Sequence, residues 1–230
     1  MLLSTEHLLA ITAIVVITAV LVAAARLRPR PWTRIACIAL AVILVGAEVG
    51  WWAYLATTHS TGADLASALP LQLCDAAIFV AAAALIRRNQ LVVEVTYFWG
   101  LAGTIQSVIT PDLPQHFPSF PFFQYYVAHG GIVAAALFLV GGLGQWPRRD
   151  AVLRVAGITI VYALLVGVID AATGANYMYL RSKPASASLL DLLGPWPVYI
   201  AWASLVGAAL LLILDAPFRW LRHRREEHTF

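Results

Sequence analysis

The chain has 230 residues, 61% of them hydrophobic and 12% charged, with a net charge of +3. A soluble domain carries about a quarter charged residues, and mean hydropathy here is +0.79. Composition therefore excludes a soluble enzyme and predicts an all-α, polytopic membrane protein. No basic stretch is interleaved with aromatics as a nucleic-acid groove requires, so nucleic acid is excluded as a partner.

Seven spans follow in chain order, at about 5–25, 33–57, 68–86, 91–109, 122–142, 151–171 and 196–216. Each is near or above the roughly 20 residues that cross the hydrocarbon. The first apolar stretch, Leu8 to Ala25, is too long for a signal-peptide core and no small-residue cleavage site precedes a soluble domain. It is expected to be a permanent span. Pro70 fits the first turn of the third span. The fourth is interrupted by Gly100 and Gly103 and carries Glu94 near its start, beside Arg87 and Arg88, where a solvated interfacial charge is expected. The connection at 172–195 is long and polar, the only one large enough to cover a site. With no repeat and no Pro/Ser linker, the expectation is one domain over 1–230.

Orientation follows from the basic residues. Arg26, Arg28, Arg30 and Arg34 surround the first connection, Arg87 and Arg88 occupy the third, and Arg148, Arg149 and Arg154 surround the fifth. Arg219, Arg222, Arg224 and Arg225 follow the last span, so 13 of the 15 Lys and Arg share one side and only Arg181 and Lys183 take the other. The bias predicts an N-terminus outside and a C-terminus in the cytoplasm of a multi-pass cell-membrane protein.

That orientation assigns depth. Glu48, Gln72, Cys74, Asp75, Thr104, Gln106 and His129 fall in the outer part of spans two to five, and Asp170 ends span six. Asn176, Tyr177 and Tyr179 follow in the loop, and Asp191, Trp196 and Tyr199 open span seven. Polar groups inside spans face the bundle interior or a wet cavity. One pocket open to the outer face is therefore expected. Most of the aromatics at that level, Trp51, Trp52, Tyr54, Trp99, Tyr125, Tyr126, Trp196 and Tyr199, read as an interfacial belt.

Cys74 and His129 are the nucleophile–base pair that depth allows. Asp75, Glu48 or Asp170 could orient the base, and Gln72 or Gln106 could donate to an oxyanion. Against this stands the plainer reading, a small thiol filling a helix contact and a histidine bonded to a neighbouring helix. Cys37 and Cys74 lie in separate spans near opposite faces, so no disulfide is expected. Metal binding is not expected: His129, Glu48, Asp75 and Asp170 lack the i, i+4 spacing of a metal helix, and His59, Asp64, Asp112 and His116 read as solvated loop residues. A retinal protein is excluded because the one lysine, Lys183, lies in a loop. No cofactor is expected, and oligomeric state has no signature in the chain.

The ordered motifs Leu69-Pro70-Leu71-Gln72-Leu73-Cys74-Asp75, Tyr97-Phe98-Trp99-Gly100-Leu101-Ala102-Gly103-Thr104-Ile105-Gln106 and Thr110-Pro111-Asp112-Leu113 precede His129. Asn176-Tyr177-Met178-Tyr179-Leu180, Lys183-Pro184 and Gly194-Pro195-Trp196-Pro197-Val198-Tyr199 follow it. Together they resemble the bacterial YwaF family of integral membrane proteins, which is similar to the eukaryotic transmembrane protein 164 family. Where many bacterial members carry His, this chain has Gln72. The eukaryotic relatives are described as cysteine-dependent acyltransferases that build ether phospholipids. The resemblance thus implies a lipid acyltransferase with Cys74 as nucleophile, His129 as base and Asp75 or Glu48 beside it. Membrane lipids or acyl donors would be the partners, and Glu48, Gln72, Gln106, Asp170, Asn176 and Tyr179 would line the substrate site. The alternative is a non-catalytic binder or transporter of a lipid or small polar molecule, for which broken helices or an inverted repeat are the expected features.

Overall fold

The apolar runs fold as helices, the conformation that satisfies every backbone group within one segment where water is absent. The computed structural model describes residues 4–27, 31–58, 69–184 and 188–227, with side chains as far as Arg224. Arg28, Arg30, His59, Asp64 and the Arg225 side chain lie outside the described residues. The helices are α1 (Thr5–Leu27), α2 (Trp32–Thr58), α3 (Leu73–Arg87), α4 (Gln90–Ile109), α5 (Phe120–Gly142), α6 (Ala151–Thr173) and α7 (Val198–Glu227). No strand occurs among the described residues.

Six of these, all but α3, are long and apolar enough to cross a membrane. Their outer surfaces agree: Val16, Val20, Leu153, Leu164, Val168, Leu205 and Ile213 are all exposed, in numbers that only lipid could cover. The third expected span is shorter than its hydropathy suggests. α3 has 15 residues, about 22 Å at 1.5 Å per residue, against a hydrocarbon core of about 30 Å. Pro70 does not open the helix but lies ahead of it, in a bend where the Leu71 N–H turns back to the Leu69 carbonyl at 2.8 Å. Its ring disfavours the helical conformation at the preceding residue. Cys74 and Asp75 consequently occupy the first turn of α3.

Contacts gather the chain into two compact units, one from Met1–Thr58 and Leu73–Arg148, the other from His59–Gln72 and Arg149–Phe230. In the first unit α5 is the central helix. A Cβ on Gly130 would come within 2.5 Å of the Ile14 side chain of α1, and one on Gly131 within 2.8 Å of Leu44 of α2. Adjacent small residues therefore seat two neighbours at close range, the device that membrane helices use when burial in lipid gives little drive. α4 and α5 each contain a π-helical stretch, at Trp99–Thr104 and Phe138–Gly142. The Arg26 Nε donates to the freed Gly141 carbonyl at 2.6 Å and fixes the end of α1 there.

Glu94 corrects the sequence reading. It is not a solvated charge beside Arg87 and Arg88 but fully buried, 0% exposed. Its Oε1 accepts from the Arg148 backbone N–H and Nε, both at 2.9 Å, and its Oε2 accepts from Arg148 Nη2 at 3.1 Å. The carboxylate pushes the Arg148 pKa above its ordinary value, so the guanidinium stays charged. With Gln90 Nε2 donating to the Trp146 carbonyl at 2.7 Å, α4 holds the connection that follows α5.

In the second unit α6 and α7 are joined by a connection carrying two 3₁₀ turns, Tyr177–Tyr179 and Leu189–Leu193. Met178 and Tyr179 take φ of 52° and 55°, a conformation that costs side-chain-bearing residues about 1 kcal/mol or more each. The surrounding hydrogen bonds hold it. Gln72 Oε1 accepts from Met178 N–H at 2.8 Å, Leu69 N–H donates to Tyr177 Oη at 3.1 Å, and Tyr199 Oη donates to the Tyr179 carbonyl. Segment 69–72 is thus tied to the connection, and Tyr162 Oη adds a bond to the Leu71 carbonyl at 3.0 Å. Of the expected belt, Trp196 and Trp52 are exposed, whereas Trp99, Tyr126 and Tyr199 are packed inside their units.

Candidate functional site around Cys74 and His129

The thiol lies between two hydroxyls. Thr104 Oγ1 donates toward Cys74 Sγ at 3.8 Å, and Ser107 Oγ lies 4.0 Å from the same sulfur. Thr104 closes the π-helical stretch of α4 and also reaches the Trp99 carbonyl at 3.3 Å. Thr104 and Ser107 are three residues apart, which puts both on one helix face. The widened turn supplies the angle at which that face meets α3, a common use of π-bulges.

His129 makes a different set of contacts. Its Nδ1 lies 2.8 Å from the Tyr125 carbonyl, and its ring stacks on Tyr125 with centroids 4.1 Å apart. A carbonyl only accepts, so Nδ1 carries the proton and Nε2 is the basic nitrogen. Asp75 and Glu48 both lie within electrostatic reach of the imidazole. Glu48 is buried and hydrogen-bonded to the Trp52 side chain one turn later. Asp75 follows Cys74 in sequence and lies within electrostatic reach of the thiol as well. Among the described residues, the hydrogen-bonding neighbours of Cys74 are Thr104 and Ser107, and His129 is not one of them.

Tyr125 connects the two halves. Its Oη donates to the Ser107 carbonyl at 2.9 Å and is hydrogen-bonded to the Asp112 backbone, which anchors the proline-rich connection between α4 and α5. Sequence reasoning passed over Ser107 and gave Tyr125 only a belt role. The signals were their spacings: Ser107 stands at i+3 from Thr104, and Tyr125 at i−4 from His129.

The other candidates have different surroundings. Gln106 is exposed and turned toward Thr110 Oγ1 at 3.3 Å. Gln72, Asp170, Asn176 and Tyr179 belong to the second unit. There Asp170, fully buried, accepts the Tyr177 N–H at 2.9 Å through Oδ1. Asn176 closes its loop, donating to the Ser182 carbonyl at 2.9 Å and accepting from the Arg181 and Ser182 N–H groups at 3.0 Å. Tyr179 accepts from Tyr199 through its carbonyl. Among the described residues no cluster of three or more His, Cys, Asp or Glu could hold a metal ion. Both cysteines are free thiols, Cys74 half-buried and Cys37 buried with Arg88 Nη2 at 3.7 Å from its sulfur.

The sequence model described as the TMEM164 family matches residues 2–215. No curated protein and no solved structure matches the chain.

Proposed function

The chain belongs to the TMEM164 family of membrane proteins, and from that premise we propose that it transfers acyl groups between membrane lipids through a thioester on Cys74. The observation that carries this reading is the placement of Cys74. It stands in the first turn of α3, against two hydroxyls, next in sequence to a carboxylate that also acts on His129. A helix N-terminus presents unpaired N–H groups that stabilise negative charge on a nearby group.

The chemistry follows the cysteine–histidine pattern. His129 Nε2 takes the thiol proton, and the thiolate attacks the ester carbonyl of a donor lipid. The tetrahedral intermediate expels the donor's alkoxide, which leaves as a hydroxyl with the proton from the imidazolium. An acceptor lipid hydroxyl then gives its proton to Nε2 and attacks the thioester. Cys74 departs as thiolate and recovers its proton. Asp75 and Glu48 stabilise the imidazolium in both halves. Catalytic contacts tighten when substrate binds, which accommodates a resting thiol held by Thr104 and Ser107.

The test is the intermediate. Purified protein incubated with an isotope-labelled phospholipid is expected to gain one acyl mass on the peptide containing Cys74, removable by neutral hydroxylamine. Cys74→Ser should leave a hydroxylamine-stable ester, and Cys74→Ala none. Donor lipid that binds without leaving a mass on the parent protein would favour a second reading, a lipid binder or carrier. That reading draws on the absence of a Cys74–His129 hydrogen bond among the described residues.

The same proposal places the protein in the cell membrane with α3 crossing as a short seventh span, N-terminus outside and C-terminus cytoplasmic. The one-sided distribution of 13 of 15 basic residues supports it, and a short helix is accommodated by local thinning of the bilayer. Reporters inserted at Asn89 and fused after Phe230 should both read cytoplasm, and one within 183–190 should read outside. Four helices separate Asn89 from Phe230, so crossing by α3 is read upstream of it. A reporter ahead of Thr5 should read outside, and a cytoplasmic reading there together with a cytoplasmic one at Phe230 would mean that α3 does not cross.

A further inference from the structure

The second unit carries an apolar groove between α6 and α7 that the acyl-transfer reading does not use. Along α6 it is lined from Ile160 to Ala171 at helical spacing, and it is walled by Gly167, Leu180, Ile200 and Ser204. The one hydroxyl among these walls is internally satisfied, Ser204 Oγ donating to the Ile200 carbonyl at 2.8 Å. The stretch from Ile160 to Ala171 rises about 16 Å, which matches one leaflet, half of a hydrocarbon core about 30 Å thick. Its length therefore suits a single acyl chain lying parallel to the helices.

The end of the groove is also built for a headgroup. Leu180 folds over Gly167, its Cδ1 3.7 Å from where a Cβ would be. The guanidinium of the next residue, Arg181, lies beside the Asp170 carbonyl, one residue before the Ala171 that ends the lining. Trp196, 60% exposed, donates to the Leu180 carbonyl at 3.0 Å, an aromatic anchor at the same level. Two cations occur between α6 and α7, Arg181 and Lys183. Lys183 lies 3.6 Å from Asp191, whereas Arg181 uses Nη1 on the Asp170 and Ala175 carbonyls, both at 3.3 Å. Two carbonyls do not neutralise a guanidinium, whose planar fork suits a phosphate. The nearest carboxylate on α6, Asp170, is fully buried and bonded to Tyr177 N–H, while Arg181 is exposed.

We propose that this groove holds an anionic phospholipid, with one acyl chain along α6 and its phosphate on Arg181. The inference rests on reading the chain as a lipid-handling membrane protein but not on Cys74 chemistry. A second copy of the chain fits the groove less well, because the small face that would seat a partner helix at Gly167 is already covered by Leu180.

The experiment reconstitutes the full chain in nanodiscs with phospholipid probes bearing a diazirine midway along one acyl chain. Phosphatidylglycerol and phosphatidylcholine headgroups are compared, and photolabelled peptides are mapped. Labelling is expected to concentrate on the facing stretches of α6 and α7. Gly167→Leu, which fills the groove, should reduce it several-fold, while Gly157→Leu, at an open position on the same helix, should leave it unchanged and report a folded protein. Arg181→Gln should lower the preference for phosphatidylglycerol by about fivefold, the share of one surface cation, without abolishing acyl labelling. Cys74→Ala should leave the pattern intact, so failure of the acyl-transfer reading and failure of this one are separable. Labelling spread evenly over the lipid-facing helices, or unaffected by Gly167→Leu, overturns the proposal.

Discussion

Replacing Arg148 by alanine is expected to destabilise the protein by about 3–5 kcal/mol, the range for removing one partner of a buried ion pair. The pair is asymmetric: the Glu94 side chain is 0% exposed and that of Arg148 is 50% exposed. Removing the arginine side chain takes away the counter-ion of a buried charge and two of the three N–H donors that Arg148 gives it, the backbone N–H remaining. Removing the carboxylate instead leaves a guanidinium that water can still reach. Glu94→Gln should therefore cost less, about 1–3 kcal/mol, the range for an imperfectly satisfied buried polar group. Arg148→Lys should fall between them, because a point charge replaces a two-pronged fork. Thermal unfolding of the three variants side by side in one detergent ranks them. Equal losses would mean that burial of Glu94 does not set the worth of the pair.

Glu94 also marks where a linear reading stops. Hydropathy locates helices because lipid rewards continuous apolar runs: α1, α2, α4, α5 and α6 fall within about two residues of the expected bounds, whereas α7 runs on past 216 to Glu227. A charge near a span end is assigned to whatever cations are close in sequence, here Arg87 and Arg88. Its actual partner is 54 positions away, and nothing local announces it. The start of α3 was hidden differently. Pro70 suits a helical first turn or the bend before one, and the choice was made by contacts of segment 69–72 with Tyr162, Tyr177 and Met178.

The site residues separate by a geometric rule. Positive-inside reasoning assigns a level in the membrane but not a direction around the helix. Thr104 and Gln106 share a level, yet residues two apart point to different sides. Thr104 meets Cys74, Gln106 turns to Thr110, and Ser107 at i+3 takes the place beside the thiol. In the connection after α6 the difficulty is competition. Tyr177, Met178 and Tyr179 bend sharply, and Asp170 through Oδ1, Asn176 and Gln72 are engaged in holding that bend. A polar residue in an apolar chain signals a need, and the need here includes backbone satisfaction as well as any ligand.

Replacing His129 by alanine is expected to slow acylation of Cys74 by about 10²–10⁴-fold, the usual contribution of a positioned general base. The ring has one basic nitrogen to offer, because Nδ1 is committed to the Tyr125 carbonyl. Asp75 and Glu48 lie within reach to stabilise the positive charge it acquires. Cys37 does not serve as an internal control for reactivity, since it is 1% exposed and sits against Arg88. Slow labelling there would report access alone. The measurement therefore belongs in a Cys37→Ala background, where every adduct is on Cys74. Two rates are compared in parent and His129→Ala proteins: thioester formation from a phospholipid donor, and modification by a small methanethiosulfonate reagent. A base acting on the thiol lowers the first far more than a change in access could, and the second shows how much access has changed. A parallel fall in both would mean that His129 packs the site without activating it. Thr104→Val with Ser107→Ala should give a smaller loss, because those hydroxyls orient the sulfur without accepting its proton for good. An undiminished acylation rate in His129→Ala removes the dyad and favours the lipid-binder reading.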